Sequence, residues 1–188
     1  MKKKTDIRFS KDTIIVTHHN LVHNHDVKIE FEPLNKYQLL CRNIIIENNT
    51  DNQSINSTDF RKINIYNLVK KSIQFVDKNI KLDKKSYDKL KSKYNPDLNK
   101  NKISKIINNK LYKNRDEFFA LYSLLYIYSV RDFGDNISAK LSSTIKYKEN
   151  YVKNLTKDAF KKGFLTNSKK GLAGGLLTKK SLKILNSL

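Results

Sequence analysis

The densest chemistry in the chain lies between Ser138 and Lys157. There Lys146, Lys148, Asn150, Tyr151, Lys153, Asn154 and Lys157 are interleaved with the apolar residues Leu141, Ile145, Tyr147, Val152 and Leu155. A Lys ammonium suits a phosphate or a guanine edge, and an Asn amide can bond an adenine edge at two points. From 138 to 188 there are 12 Lys/Arg against two acids, Glu149 and Asp158. Side chains of these types on one surface suit a polyanion with readable bases.

Such a surface has to be held by something rigid. Two short helices locked at a fixed angle need apolar residues at set places, a small residue where they touch, and a tight turn. Counted from Ser138, the fourth, eighth, tenth, fifteenth and eighteenth places are Leu141, Ile145, Tyr147, Val152 and Leu155, and the fifth is Ser142. The ninth, where Gly is usual, is Lys146. A Lys at positive φ costs about 1 kcal/mol relative to Gly. The pattern predicts a helix-turn-helix whose recognition helix spans about 148–162. A plain pair of core helices would share the apolar spacing; the basic, Asn-bearing surface favours the reading motif. Gly163 is placed to cap the second helix. The basic, Gly-rich loop that follows holds Lys169 and Lys170 and is a candidate wing. Thr178 is placed to cap a last helix, Lys179 to Leu185, which brings Lys179 and Lys180 into the same interface.

The net charge is +20, at a pI near 9.9. Residues 1–77 hold 12 Lys/Arg and 9 Asp/Glu, a net of +3, whereas residues 78–188 hold 26 and 9, a net of +17. Codon bias in an AT-rich genome explains abundant Lys, Asn and Ile but not the missing acid. The asymmetry marks the second half as the polyanion-binding half, for nucleic acid ahead of an anionic membrane or no partner at all, and with the helix-turn-helix the expected partner is double-stranded DNA. The near-neutral first part then reads as a dimerisation or partner module, through which a homodimer could form. One cysteine, Cys41, allows no intramolecular disulfide and fits a reducing compartment. Met1-Lys2-Lys3-Lys4 leads into polar residues rather than an apolar signal core, and no apolar run nears 18 residues. A cytoplasmic protein with no membrane partner is expected.

The organisation expected is α+β. Thr13 to Thr17, Val27 to Glu32 and Tyr37 to Ile46 read as strands, with Pro33 to Lys36 as a hairpin turn. Asn48 to Thr58 reads as a loop. Ile65, Leu68, Val69, Ser72, Ile73 and Val76 recur at helical spacing. Residues 1–77 thus form a small β-sheet with a packed helix, 78–114 a basic, partly helical connector or else a largely disordered linker, and 115–188 an all-α helix-turn-helix domain that could carry a wing. In the connector, Leu82, Tyr87, Leu90 and Tyr94 could line one short helix, and Ile103, Ile106, Ile107 and Leu111 another. Phe118, Phe119, Leu121, Tyr122, Leu124, Leu125, Ile127 and Tyr128 cover most of a helix surface, so that helix must be central.

The segments Gly163-Phe164-Leu165 and Gly171-Leu172-Ala173-Gly174-Gly175-Leu176-Leu177-Thr178 resemble a group of uncharacterised helix-turn-helix proteins of Gram-positive bacteria and their mobile elements. Phe60 to Leu68 resembles the short helix after their N-terminal β segment. The resemblance runs well over 116–188, loosely over 27–76, and is absent in the connector. Lys146 and Tyr151-Val152-Lys153 depart from the usual turn Gly and Ala-rich recognition helix. The resemblance implies DNA binding.

Other candidate chemistry is sparser. His18, His19, His23 and His25 cluster, and His23 with His25 on one strand face would offer two metal nitrogens, short of the four that zinc takes. Asp132 and Asp135 flank a turn and read as helix caps. Phosphate-binding loop, nucleophile elbow and paired-carboxylate patterns are all missing, so no enzyme, catalytic residue, metal or cofactor is expected. The function expected is a sequence-specific duplex DNA binder acting in transcription regulation. The alternatives are an accessory or structural nucleoprotein component of a mobile element, or an RNA-binding protein.

Overall fold

The structure, a computed structural model, describes all residues except 1–4, 11, 23–24, 49–56, 81–89, 91, 96 and 167–173, and the side chains of Val22 and Asp59. The chain is α+β and divides into two compact units, Met1–Asp97 and Leu98–Leu188.

In the first unit β1 (Thr5–Phe9), β2 (Ile14–Val22), β3 (His25–Asn35) and β4 (Gln38–Asn48) form one antiparallel sheet in sequential order. Alternation sets its faces. Ile14 and Val16 on β2, and Val27, Ile29 and Phe31 on β3, are fully buried on one side. α1 (Ser57–Arg61) precedes α2 (Ile65–Asn79), which presents Leu68, Ile73 and Val76 to the same core. The Asn64 side chain caps α2 by accepting from the Asn67 amide at 2.9 Å. Each fully buried aliphatic residue here contributes about 1.5–3 kcal/mol relative to exposure.

Two sequence expectations shift in this unit. The hairpin turn falls at Lys36–Tyr37, and Pro33 lies inside β3 opposite Leu39, next to a register irregularity. Proline lacks the ladder N–H, and an irregularity of this kind is where a strand can hold one. Residues 78–114, expected as a connector, are shared between the units. Leu90 and Tyr94 belong to the first core, with the Tyr94 hydroxyl donating to Asp77, and the second unit takes the rest from Leu98 onward. Leu82 and Tyr87 lie outside the described residues.

The second unit is helical: α3 (Lys100–Asn108), α4 (Arg115–Phe133), α5 (Ile137–Ile145), α6 (Glu149–Lys161) and α7 (Lys179–Leu185). Apolar on nearly every side, α4 is buried from Glu117 through Tyr126 and packs against each of the other four. Asn114 caps its start, accepting from the Glu117 amide at 2.9 Å, and Gly134 at φ 74° ends it. Asp132 and Asp135 do not cap. Asp132 pairs with Arg131 at 3.1 Å and Lys100 at 3.8 Å, and Asp135 with Lys140 at 2.7 Å. The Lys140 ammonium, bonded to the Asp135 carboxylate, lowers its pKa from the ordinary value.

Candidate nucleic-acid interface

α5 and α6 are joined by a turn of three residues, 146–148. Lys146 holds it in the left-handed region, φ 56° and ψ 33°, the conformation Gly usually supplies. Ser142 on α5 donates its hydroxyl to the Tyr147 carbonyl at 2.5 Å, tying the turn back to the helix it leaves. A larger residue at 142 would lose that bond, which is a second reason for a small residue there. The Tyr147 ring meets Tyr151 edge-on at 5.3 Å. On the other flank the Asn108 amide donates to the Thr144 carbonyl at 3.1 Å, so α3 also braces the end of α5.

The anchor of α6 comes from the central helix. Tyr122 Oη lies 3.0 Å from the Val152 carbonyl and 2.7 Å from Thr156 Oγ1, and the Thr156 hydroxyl itself reaches the Val152 carbonyl at 3.0 Å. Burial pushes the Tyr122 phenol up to about 12. Val152, Leu155 and Ala159 are buried on the same side of α6. That stripe leaves Asn150, Lys153, Asn154, Lys157 and Lys161 exposed along the opposite face, with Lys148 and Tyr151 exposed near its start.

The residues expected to form the interface divide as follows. Lys146, Lys148, Asn150, Tyr151, Lys153, Asn154 and Lys157 are all exposed on the turn and α6, with Lys153 2.8 Å from Glu149 one helical turn away. Lys179 is exposed at the start of α7. Lys180 has partners within the unit: its ammonium sits 3.2 Å from Asp116 and 4.0 Å over the Phe164 ring. Lys169 and Lys170 lie outside the described residues. Lys161, absent from the expected set, extends the exposed stripe one turn beyond Lys157; its i+4 spacing was the available signal.

After α6 the chain doubles back. Leu165 and Leu177 form an antiparallel bridge, with the Thr166 amide donating to the Leu176 carbonyl at 2.9 Å and the Leu176 amide donating to Thr166 Oγ1 at 2.8 Å. Gly175 sits where only Gly fits. At φ 119°, an added Cβ would meet the Thr166 carbonyl at 2.6 Å and the Phe160 ring at 3.2 Å. Thr178 caps α7, accepting from the Ser181 amide at 3.3 Å, and its hydroxyl donates to the Gly163 carbonyl at 2.6 Å.

The histidines of the first unit serve other contacts. His18 is buried between the Thr5 and Ser72 hydroxyls, and His19 lies between Asp26 at 2.6 Å and Asp6 at 3.2 Å. His25 is buried, and His23 lies outside the described residues. Among the described residues no group of three or more His, Cys, Asp or Glu is arranged to hold a metal ion, and no helix is long and apolar enough to cross a membrane.

No protein-family model, no curated protein and no solved structure matches the chain.

Proposed function

We propose that this protein binds duplex DNA through a helix-turn-helix formed by α5, the 146–148 turn and α6, and that it acts as a sequence-specific transcription regulator without catalysis. The observation that carries the reading is the split of α6. Val152, Leu155 and Ala159 anchor it to the core, while Asn150, Lys153, Asn154 and Lys157 share the outward face, where the acid Glu149 pairs with Lys153 at its N-terminal edge. An α-helix fits the major groove, where Lys contacts phosphates and Asn can bond adenine at N6 and N7. The charge supports it: residues 98–188 hold 19 Lys/Arg against 6 Asp/Glu, a net of +13. The Leu165–Leu177 bridge directly follows the reading helix, where a wing would begin. The resemblance of residues 163–165 and 171–178 to helix-turn-helix proteins of Gram-positive bacteria points the same way.

The test is a fluorescence-anisotropy titration of the full chain against a mixed-sequence duplex at several salt concentrations, with single-stranded DNA and RNA as competitors. Affinity is expected to fall steeply with salt, with a log–log slope of roughly −4 to −8, as about 5 to 9 phosphates are neutralised. Duplex is expected to compete better than either single strand. A flat salt response, or preferential competition by RNA, would overturn the reading.

A further inference from the structure

We infer that β4 is a dimerisation edge, pairing antiparallel with β4 of a second copy of this chain in a register centred on Ile45. The strand is eleven residues long and lies last in the sheet, paired on one side with β3. Its inner face is apolar, and its outer face sets Leu40 and Ile45 among the polar residues Gln38, Arg42, Asn43 and Glu47. Leu39, Cys41, Ile44 and Ile46 reach the inner layer yet stay half-buried, and Leu40 and Ile45 are each 38% exposed. Sheet edges are normally guarded by charged residues such as Lys, by Pro, by shortness, by a β-bulge or by a covering element. The opposite edge, β1, is only five residues long. By contrast, β4 contains neither Lys nor Pro, its bulge at Arg42 lies outside the Ile44–Ile46 run, and Arg42, its one cation, is bonded back to Glu32 on β3 at 2.5 Å.

The occupant is a second copy because the strand is complementary to itself. Pairing about a two-fold axis through Ile45 sets Ile45 against Ile45 on the outer face and Ile44 against Ile46 on the inner face. It sets Asn43 against Glu47, and Arg42 against Asn48, so no like charges meet. Six isoleucines then stack across the junction, the kind of β-branched cross-strand contact that stabilises sheets. Moving the axis by one residue shifts the pairing by two, which keeps the faces but changes every partner. Centring on Ile44 opposes Cys41 to Glu47 and Arg42 to Ile46; centring on Ile46 opposes Ile45 to Glu47 and Ile44 to Asn48. Of these three, the Ile45 register alone opposes Ile44, Ile45 and Ile46 to one another. The interface stands whether or not the chain binds DNA. If it does, each dimer carries two copies of α6, as a two-fold operator requires.

Sedimentation velocity on the full chain, from about 1 to about 100 μM, reads the equilibrium through its concentration dependence. A monomer–dimer transition is expected. Ile45→Lys opposes two like charges on the axis and is expected to weaken the dimer at least tenfold, with the far-UV circular dichroism unchanged. Independently, Ile45→Cys in a Cys41→Ser background places two thiols on directly opposed residues. Their Cα separation of about 4.5–5.5 Å lies within disulfide range. Mild oxidation is expected to give a covalent dimer there and far less with Ile44→Cys, whose opposite residue is Ile46. A monomer at every concentration would overturn the inference. So would a dimer that survives Ile45→Lys and fails to cross-link, since its interface would lie elsewhere. If Ile45→Lys does not fold, the cross-linking result decides.

Discussion

Tyr122 and Val152 join the central helix to the exposed one: the Tyr122 hydroxyl sits 3.0 Å from the Val152 backbone carbonyl, in a buried three-group network with Thr156. A side chain of α4 thereby fixes the height and rotation of α6 at the level of Asn150 and Lys153. Apolar packing of Val152 and Leu155 alone would leave that rotation looser, because dispersion contacts are not directional.

Tyr122→Phe keeps the ring and removes the hydroxyl. The Val152 carbonyl retains Thr156 as donor, so the cost is expected to be moderate, about 1–2 kcal/mol. Thermal and urea denaturation measure it. A spectrophotometric titration of the native protein is expected to show one tyrosine ionising last, near pH 12, and that late step is expected to vanish in the variant. The sign follows from the shift. Because the folded pKa is raised above the ordinary 10, the stabilisation is complete below pH 10 and is lost as pH rises toward 12. An unchanged late step would show that Tyr122 is not the tyrosine responsible.

Lys146 offers the opposite case, a residue whose replacement improves stability. Its φ of 56° carries a Cβ penalty that Gly avoids. Lys146→Gly is expected to stabilise the protein by up to about 1 kcal/mol, offset in part by the extra freedom of Gly in the unfolded chain. It also removes one exposed cation, so duplex affinity is expected to fall slightly and the salt slope to shrink by about 1. A loss of stability would mean that the left-handed turn is not the conformation in solution.

Much of the second unit was legible because its signals are local. The run from Phe118 to Tyr128 is too apolar for anything but a central helix, and the Val152 and Leu155 spacing marks which side of α6 turns inward. Thr178 is a cap by residue type alone. What stayed hidden depends on partners distant in sequence. β1 is a five-residue strand whose place comes from pairing Thr5 with His18 and Phe9 with Ile14. Leu90 and Tyr94 sit in a Lys-rich stretch and reveal themselves as core only when α2 and the sheet close over them. Asp132 looks like a cap until Lys100 and Arg131 are seen beside it. Tyr122 reads as one more core aromatic, and only the fold shows what its hydroxyl holds.

His18 makes the first unit sensitive to acid. The Ser72 hydroxyl donates to the Leu68 carbonyl at 2.8 Å, so His18 Nε2 must carry the proton that bridges to Ser72 at 2.7 Å. Nδ1 is then the acceptor for the Thr5 hydroxyl at 3.2 Å. Adding a proton at Nδ1 destroys that acceptor. Burial, with Lys71 and His19 nearby, lowers the His18 pKa below 6.5. A depressed folded pKa means that the unfolded chain takes the proton first, so stability is full above about pH 6.5 and falls as pH drops through the folded pKa. An NMR titration is expected to place the His18 midpoint below 6.5, and melts are expected to shift downward over the same range. A midpoint above 6.5 would contradict this arrangement.

Neighbouring residues on α6 separate folding from reading. Leu155 is buried at 4% exposure, and Asn154, one residue earlier, is exposed. Consecutive positions on a helix point roughly 100° apart, so one side chain can hold the core while the next faces a groove. Leu155→Ala leaves a cavity and is expected to cost about 2–4 kcal/mol of stability. Asn154→Ala is expected to change stability by less than about 0.5 kcal/mol, since its side chain lies at the surface. If Asn154 bonds an adenine edge, the same variant is expected to lose about 1–3 kcal/mol of preference for a selected site over a scrambled one. Lys153→Ala, removing a phosphate contact, is expected to weaken both duplexes alike. Melts and paired titrations on the two duplexes resolve the three outcomes. If Asn154→Ala instead weakened selected and scrambled duplexes equally, the outward face of α6 would be gripping backbone only, and sequence would have to be read elsewhere in the chain.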